Sequence, residues 1–425
     1  MLGTVGKYVL KRKLGKGASS TVYLAIDTFT TSDVALKLID IAVFRDPQRG
    51  KPVRTQFMNE ASLVGKLVHP HIVTMIDAVV SDEQSYLVME YVPGGNLLPY
   101  TTPHNLLPIE HAIEIGFKCC GALDYAYRAG IVHRDIKPAN ILVANGTEIK
   151  VADFGAALLQ LADTTQIGNI GSPAYMSPEQ ITGGALGHQS DMFSLAVVLY
   201  QLLTGSKPFV ADNAMEVIEK IRFDVPAPMS SLRKNLPPQI EKVINVALEK
   251  DPANRYSTWA EFALELAKLG RLSVYQQSIA DSEKFNHLRG LPMFKSIGDP
   301  DIWELVHAAR WERVPAQHAI IREGDTGGSL FMLTRGEVKV TKQGRLLNVL
   351  RAGECFGEMS YIKGNSMPRQ ATIESMTEVV IAEFERDAIE KRVNAVCRMN
   401  VVFALLNTLV DRLALADARI SRVIN

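Results

Sequence analysis

The spacing of apolar residues divides the chain into a mixed first part, a strand-rich second part and a long helical end. Between residues 8 and 39, apolar and polar residues alternate around a glycine-rich turn, which predicts strands. Residues 108–130 and 190–205 have helical spacing, and the second run is apolar on almost every face. From residue 319 onward, short alternating runs separated by glycine-containing turns predict a β-barrel or sandwich. The pattern predicts a multidomain α+β protein.

The last part of the chain, residues 393–423, has the longest helical pattern. Its apolar residues recur every three or four positions and include Val396, Met399, Val402, Leu406, Leu409, Leu413, Ala416 and Ile420. Such a stripe can form the seam between two helices of a coiled coil, and it can equally pack a helix against its own domain. Both interpretations stay open.

Length and composition indicate an ordinary globular protein of several domains. The 425 residues exceed what one hydrophobic core supports, and 47% hydrophobic with 22% charged residues excludes a disordered chain. Lys+Arg and Asp+Glu both number 46, so no basic excess favours nucleic acid or an anionic membrane as a partner.

Cysteine usage and hydropathy favour a cytoplasmic location. The cysteines Cys119, Cys120, Cys355 and Cys397 lack metal-ligand spacing, which predicts reduced, buried thiols. The first residues lack a signal-peptide pattern, and no apolar run reaches the roughly 18 residues that a membrane span requires.

Candidate chemistry is concentrated in residues 131–143, Ile-Val-His-Arg-Asp-Ile-Lys-Pro-Ala-Asn-Ile-Leu-Val, and in Asp153-Phe154-Gly155. Asp135, Lys137 and Asn140 are spaced two and three residues apart on an irregular turn, and Asp153 adds a second carboxylate. This set suits phosphoryl transfer, which needs one carboxylate to orient a hydroxyl, oxygen ligands for metal and cations to neutralise charge.

This run resembles the catalytic loop and metal-binding turn of eukaryotic-like (Hanks-type) protein kinases in the bacterial style. The resemblance implies that Asp135 orients the substrate hydroxyl, that Lys137 offsets charge, and that Asn140 and Asp153 hold Mg²⁺ or Mn²⁺. A lysine two residues after the aspartate is the Ser/Thr-kinase form. His133 is expected to pack structurally behind the site.

The first strands carry the other half of the kinase resemblance. Gly15-Lys16-Gly17 with Val22 is similar to the glycine-rich loop, and Val34-Ala35-Leu36-Lys37 is similar to the third strand, whose lysine pairs with the glutamate of a helix, here Glu60. Met89 falls at the gatekeeper position. The resemblance implies that ATP binds to Gly15, Lys16, Gly17, Val22, Ala35, Lys37, Glu90, Val92 and Leu142, with adenine on the backbone of Glu90 and Val92.

Further kinase positions are expected to support the site. Asp191 would hold the catalytic-loop backbone, and Arg255 would form a buried structural pair with Glu179. Activation-loop autophosphorylation is expected on Thr164 or Thr165, where Arg134 would pair with the new phosphate. The alternative is that both threonines are ordinary loop residues.

Residues 353–372 resemble the phosphate-binding cassette of cyclic-nucleotide-binding domains. The resemblance implies that Gly357, Glu358, Arg369 and Gln370 bind cyclic AMP or cyclic GMP. A carboxylate suits a ribose hydroxyl, and an arginine fork suits a cyclic phosphate. The alternative is a barrel that kept its fold and no longer binds nucleotide.

Together these resemblances imply a bilobal protein-kinase fold at 8–270, a linker at 271–290, and a jelly-roll cyclic-nucleotide-binding domain with flanking helices at 291–392. The helix at 393–425 would join two copies in a homodimer or pack on its own barrel. The function implied is a non-specific protein serine/threonine kinase that acts on protein substrates and itself and is regulated by a cyclic nucleotide effector. The alternative is a cyclic-nucleotide receptor whose kinase fold serves as a scaffold.

Overall fold

The computed structural model describes residues 3–17, 20–42, 54, 57–58, 62, 65, 67–81, 84–154, 158–159, 173–270, 279, 281–363 and 368–424. Side chains are described within these ranges except at 158–159, 270 and 411–424. The chain folds as two compact units, Met1–Val274 and Tyr275–Asn425. No helix of the described part is both long enough and apolar enough to cross a membrane.

The first unit begins with a six-stranded antiparallel sheet in the order β1-β2-β3-β4-β6-β5. Its strands are β1 Thr4–Val5, β2 Tyr8–Lys16, β3 Ser20–Asp27, β4 Asp33–Ile39, β5 Met75–Val79 and β6 Tyr86–Glu90. One face of the sheet is buried around Tyr8, Leu36 and Val88. This is the small lobe, and the alternation of residues 8–39 predicted its first strands correctly.

The rest of the first unit, the large lobe, is mainly helical. Its helices are α1 Ile109–Arg128, α2 Pro178–Thr182, α3 His188–Thr204, α4 Ala214–Phe223, α5 Met229–Leu232, α6 Pro238–Ala247 and α7 Trp259–Gly270. Two short antiparallel pairs accompany them: β7 Ile131–Val132 with β10 Leu158–Leu159, and β8 Ile141–Asn145 with β9 Glu148–Val151. The observed α1 and α3 confirm the two predicted helices.

Helix α3 is the centre of the large lobe. Every residue from Ser190 to Thr204 is buried, as expected for a helix that is apolar on nearly all faces. The helix ends at Gly205, whose φ of 79° is left-handed. A Cβ there would lie 2.5 Å from the backbone nitrogen of Pro103, so only glycine fits. Asp191 therefore enters the core at a fixed position near the start of the helix.

The second unit contains two four-stranded sheets, ordered β11-β18-β13-β16 and β12-β17-β14-β15. The strands are β11 Arg310–Val314, β12 Ala319–Ile321, β13 Leu330–Arg335, β14 Glu337–Lys342, β15 Arg345–Arg351, β16 Cys355–Phe356, β17 Thr372–Ser375 and β18 Val379–Phe384. All pairings are antiparallel, and one apolar cluster including Phe331, Val338 and Phe356 is shared by both sheets. The predicted jelly-roll type of barrel is confirmed.

Helices flank this double sheet. They are α8 Asp281–Arg289, α9 Asp299–Ala308, α10 Glu358–Lys363, α11 Arg386–Arg392 and α12 Ala395–Ile424. Phe285 of α8 stacks on Trp303 of α9 at 4.6 Å, and Glu283 pairs with Arg313 of β11 at 2.7 Å. The described end of the predicted linker is therefore a helix that belongs to the second unit and packs against its α9 and β11.

Candidate functional site

The catalytic-loop residues converge after β7. The carboxylate of Asp135 accepts a hydrogen bond from Lys137 Nζ at 2.6 Å and another from Asn140 Nδ2 at 3.0 Å. Asn140 Nδ2 also donates to the backbone oxygen of Asp135 at 2.9 Å. The turn Pro138–Asn140 makes this possible by folding Asn140 back on Asp135. Since its amide nitrogen faces Asp135, Asn140 keeps its amide oxygen for another ligand.

Asp191 of α3 holds the loop from below. Its two carboxylate oxygens accept the backbone N–H groups of His133 and Arg134, each at 2.7 Å. Arg134 has a φ of 68°, a strained conformation for a residue with a side chain. Burial raises the pKa of Asp191, and the two N–H groups act in the opposite direction. The fully buried helix thus fixes the backbone immediately before Asp135.

His133 has the structural role expected of it. The ring is fully buried, its Nε2 lies 3.0 Å from the Ala152 carbonyl, and its centroid is 4.4 Å from that of Phe154. The amide of Asp135 donates to His133 Nδ1 at 3.2 Å. The ring therefore joins the catalytic loop to the segment that carries Asp153.

Asp153 and Lys37 form an ion pair across the cleft. Lys37 Nζ lies 2.8 Å from Asp153 Oδ1, and the lysine side chain is 15% exposed. The charge of Lys37 holds the pKa of Asp153 below its usual value. The second carboxylate oxygen of Asp153 and the amide oxygen of Asn140 are the candidate metal ligands. Carboxylate and amide oxygens suit Mg²⁺ or Mn²⁺, so the residues present fit the expected metal.

The candidate ATP-binding residues line one face of the small-lobe sheet. Val22 is paired with Lys37, and Ala35 is paired with Met89. Because opposed residues and residues two apart share a face, all four side chains point to the same side of the sheet. Leu142 lies in β8 of the large lobe, where it bridges Asn96 just beyond the hinge.

The glycine-rich turn closes the hairpin of β2 and β3. Gly15 pairs with Val22 and Lys16 with Thr21, and the amide of Gly17 donates to the Ser20 carbonyl at 2.8 Å. Glu90 is the last residue of β6, and the hinge follows it. Val92, two residues later, is buried.

Three predicted residues and part of the glycine-rich turn lie outside the described residues. They are Glu60, Thr164, Thr165 and positions 18–19. The pairing of Glu60 with Lys37 and the phosphorylation of either threonine therefore stay predictions.

A buried ion pair braces the large lobe near the site. Arg255 donates from both terminal nitrogens to Glu179, at 2.7 and 2.9 Å, and also bonds three backbone carbonyls. Burial acts to raise the pKa of Glu179, but Arg255 outweighs it and the pKa lies below its usual value. The next residue, Gln180, donates to the Arg134 carbonyl at 2.9 Å. Sequence reasoning missed this contact, because nothing in the sequence marks a glutamine as a partner of the loop.

In the second unit, Arg369 lies in a closed cradle. The residue is 7% exposed, and its Nη1 donates to the carbonyls of Ser329 at 3.0 Å and Gly357 at 3.2 Å. Its guanidinium lies 5.5 Å from the ring centroid of Phe331. Within the described part of the chain, Arg369 has no carboxylate close enough for an ion pair. Burial lowers the pKa of Arg369, and Glu383, Glu358 and Asp325 act in the opposite direction.

The other predicted cassette residues differ in their position relative to Arg369. Gly357 forms one wall of the cradle, and Glu358 begins α10. Gln370 turns away, since its Nε2 donates to the Pro368 carbonyl at 2.8 Å. The wall residues Gly327, Ser329 and Phe331 were missed, because they come from a distant strand and the turn before it, which no local motif connects to Arg369.

The four cysteines are free and buried, as predicted. Burial raises the pKa of Cys119 to about 12 and that of Cys397 to about 12. These thiols take no part in the candidate sites.

Comparison with known proteins agrees with both resemblances. The model of the protein kinase domain matches residues 8–266, and that of the cyclic nucleotide-binding domain matches residues 311–395. The chain is 34% identical over 295 residues to the probable serine/threonine-protein kinase CPE1738 of Clostridium perfringens, covering 68% of this chain and 42% of that protein.

Two mycobacterial relatives are similar to the same extent. Serine/threonine-protein kinase PknB of Mycobacterium leprae is 36% identical over 271 residues, covering 62% of this chain and 43% of the relative. PknB of Mycolicibacterium smegmatis is 36% identical over 297 residues, covering 67% and 47%. The chain thus spans less than half the length of these curated relatives.

Proposed function

Since the chain belongs to the protein kinase domain family, we propose that it transfers the γ-phosphate of ATP to serine or threonine hydroxyls of proteins, including its own. The observation that carries this proposal is the constellation of Asp135, Lys137 and Asn140 facing the Lys37–Asp153 pair. A chain that kept only the fold would have no need of Lys137 and Asn140 bonded to Asp135 together with Lys37 bonded to Asp153.

The residues divide the reaction between them. Asp135 accepts the proton of the substrate hydroxyl as its oxygen attacks the γ-phosphorus and the bond to the β–γ bridging oxygen breaks. Lys137, 2.6 Å from Asp135, offsets the charge on the transferring group. Lys37 binds the non-transferring phosphates. Asn140 and Asp153 would hold Mg²⁺, which when bound supplies charge neutralisation between the phosphates.

Arg134 supports the expected phosphorylation of Thr164 or Thr165. Among the described residues, its buried Nε has no hydrogen-bond partner, and burial lowers the pKa of its guanidinium. A phosphate on the activation loop would supply the missing acceptor and order the loop next to Asp135.

The second unit would supply regulation by a cyclic nucleotide. Among the residues that the structure describes, buried Arg369 contacts two carbonyls and an aromatic ring and forms no ion pair, so it would gain a charge partner when a monoanionic phosphodiester binds. Glu358, at the start of α10, suits the ribose hydroxyl. A ligand that binds one of two arrangements of this unit more tightly shifts the population toward that arrangement. The difference between the two binding free energies sets the largest effect that the ligand can have on kinase activity.

Helix α12 supports a homodimer. One side of the helix, at Cys397, Val401 and Leu405, is buried in its own unit. Apolar residues on the opposite side are exposed at alternating spacings of three and four: Val396 by 61%, Met399 by 53%, Phe403 by 59%, Leu406 by 47% and Val410 by 64%. This heptad pattern is self-complementary, so a second copy of the chain is the partner that fits.

The proposal is tested by autophosphorylation of the purified chain with labelled Mg-ATP, alone and with cyclic AMP or cyclic GMP. We expect incorporation into residues 156–172 and a rate that changes with one nucleotide. In Arg369→Ala the basal rate should persist while the response to nucleotide disappears. No incorporation under any condition would reject the kinase proposal, and saturable nucleotide binding without a change of rate would reject the regulation alone.

A further inference from the structure

Glu90 connects three segments behind the adenine end of the cleft. Its amide donates to the Thr74 carbonyl at 3.0 Å, and its Oε1 accepts the Thr74 amide at 2.7 Å. The same oxygen lies 2.8 Å from Lys150 Nζ. Thr74 leads into β5 of the small lobe, whereas Lys150 lies in β9 of the large lobe. One carboxylate oxygen therefore ties the hinge to both lobes.

Strand β9 leads directly to the candidate metal ligand. Lys150 precedes Asp153 by three residues. The neighbouring Val151 is fixed by two backbone bonds, one from the Val73 amide at 2.9 Å and one to the His71 carbonyl at 2.8 Å. The position of Lys150 is thus set by backbone pairing, independently of its own ion pair, and the lysine can act as a fixed anchor for the hinge.

The Lys150–Glu90 pair is better protected than an open surface pair. The two side chains are 21% and 29% exposed, compared with 40% and 45% for Lys11 and Asp33 in the small-lobe sheet. Because Thr74 already orients the carboxylate, less side-chain entropy is lost when Lys150 binds it. The pair is therefore expected to restrain the hinge measurably.

We propose that Lys150 is a positioning residue that, through the Glu90 carboxylate, holds the backbone of residues 90–92 where adenine binds. The proposal rests on the proposed kinase function. Lys150 does not contact the phosphates or the transferred group in this scheme; its charge acts only through Glu90. Loss of the pair lets the hinge move relative to β9, so adenine binds to a less ordered backbone.

The test is calorimetric binding of adenosine and steady-state kinetics with Mg-ATP on wild type and Lys150→Met. We expect adenosine affinity to fall and KM for ATP to rise by about three- to five-fold, with kcat unchanged. A restraint at the adenine end stabilises the bound substrate and the transition state equally, so its loss weakens binding without slowing the chemical step. Lys150→Arg should restore most of the affinity. A merely structural role would lower kcat and thermal stability and leave KM unchanged.

Two further variants keep the test decisive. Glu90→Gln retains the acceptor for the Thr74 amide and loses the charge, so it should reproduce Lys150→Met, and the double variant should be no weaker than either single one. Lys339→Met, which removes a Lys–Glu ion pair of similar exposure between two strands of the second unit, should bind adenosine normally.

Unchanged adenosine affinity in Lys150→Met and Glu90→Gln, or an equal loss in Lys339→Met, would overturn the proposal. Wild-type protein that binds adenosine and transfers no phosphate would reject the kinase function, and the adenosine heats would still decide the role of Lys150. Wild-type protein that binds no adenosine would reject both.

Discussion

Asp135 is the residue whose chemistry can be tested with the smallest change of shape. In Asp135→Asn the amide retains the size of the carboxylate and loses the charge that we propose orients the hydroxyl and accepts its proton. We expect phosphoryl transfer to fall by about 10²- to 10⁴-fold, while calorimetry shows ATP binding close to that of wild type. Asp212→Asn, at an exposed position of the large lobe, is the control. A wild-type transfer rate in Asp135→Asn would contradict the assignment.

His69 makes the stability of the first unit dependent on pH. Burial, with a smaller effect from Lys150, lowers the pKa of His69 from 6.5 to about 3. Its Nδ1 accepts the His71 amide at 3.1 Å, and its Nε2 has no hydrogen-bond partner in the described part of the chain. As pH falls, the unfolded chain takes up a proton near pH 6.5, which the folded protein does not accept until about pH 3. Stability is therefore lost as pH falls below 6.5.

The size of this loss follows from linkage. Between pH 7.5 and 5.5 it amounts to about 1.4 kcal/mol of the free energy of unfolding. In His69→Asn the amide oxygen can replace Nδ1 as acceptor, and the variant should lose about 1.4 kcal/mol less over the same interval in urea unfolding. The exposed His104→Asn serves as the control. Equal pH dependence in wild type and His69→Asn would show that His69 is not the responsible group.

Individual site residues were predictable where the functional side chains lie close together in the sequence. Asp135, Lys137 and Asn140 lie within six residues, and the structure brings them into contact. The cradle of Arg369 was not predictable, because Ser329 lies forty residues away and contributes a backbone carbonyl, which any residue type has. Lys150 was missed for a similar reason: a single lysine in a strand does not reveal that the hinge carboxylate faces it.

At the scale of elements, apolar periodicity predicted α1, α3 and α12, the strands β2, β3, β4 and β6 of the small lobe, and β12 to β15 of the second unit. Where it was least informative, in the polar run 271–290, the described end is a helix held by Phe285 and Glu283. Only a small part of that helix is buried, so its sequence has almost no apolar stripe. Its stability comes from aromatic and ionic contacts with another helix and a strand, which a local pattern does not show.

Helix α12 yields a prediction about assembly. Its start is fixed by Asn394, which donates to Glu304 and Asp301 of α9, so the exposed heptad face has a defined direction. We expect wild type to sediment as a dimer and Phe403→Glu with Leu406→Glu to sediment as a monomer, because charges at the seam cannot be buried unpaired. The control is Lys391→Glu, at an exposed position of α11. A monomeric wild type at micromolar concentration, or a dimeric double variant, would contradict the dimer.

At the scale of the molecule, the two compact units each have a hydrophobic core of their own. We expect calorimetric unfolding to show two transitions. A cyclic nucleotide at 100 times its Kd should stabilise the second unit by about 2.7 kcal/mol, and Mg-ATP should raise only the other transition. Arg369→Ala should remove the first shift and keep the second. One transition moved by both ligands would show that the units unfold together.

The cradle of Arg369 has a consequence for how this chain can change over generations. A Cβ on Gly357, where φ is 79°, would lie 2.7 Å from Arg369 Nη1, and one on Gly327 would lie 3.2 Å from Nη2. A substitution of Gly357 would therefore displace the guanidinium of Arg369 and also crowd the ring of Phe331, which belongs to the apolar cluster between the sheets. At Gly327 the three nearest atoms all belong to Arg369, so a substitution there would press on the arginine alone. One amino-acid substitution at Gly327 can therefore disturb the proposed nucleotide site without a clash in the apolar cluster. Lineages carrying such a change would inherit a folded second unit with a weakened response to the proposed ligand.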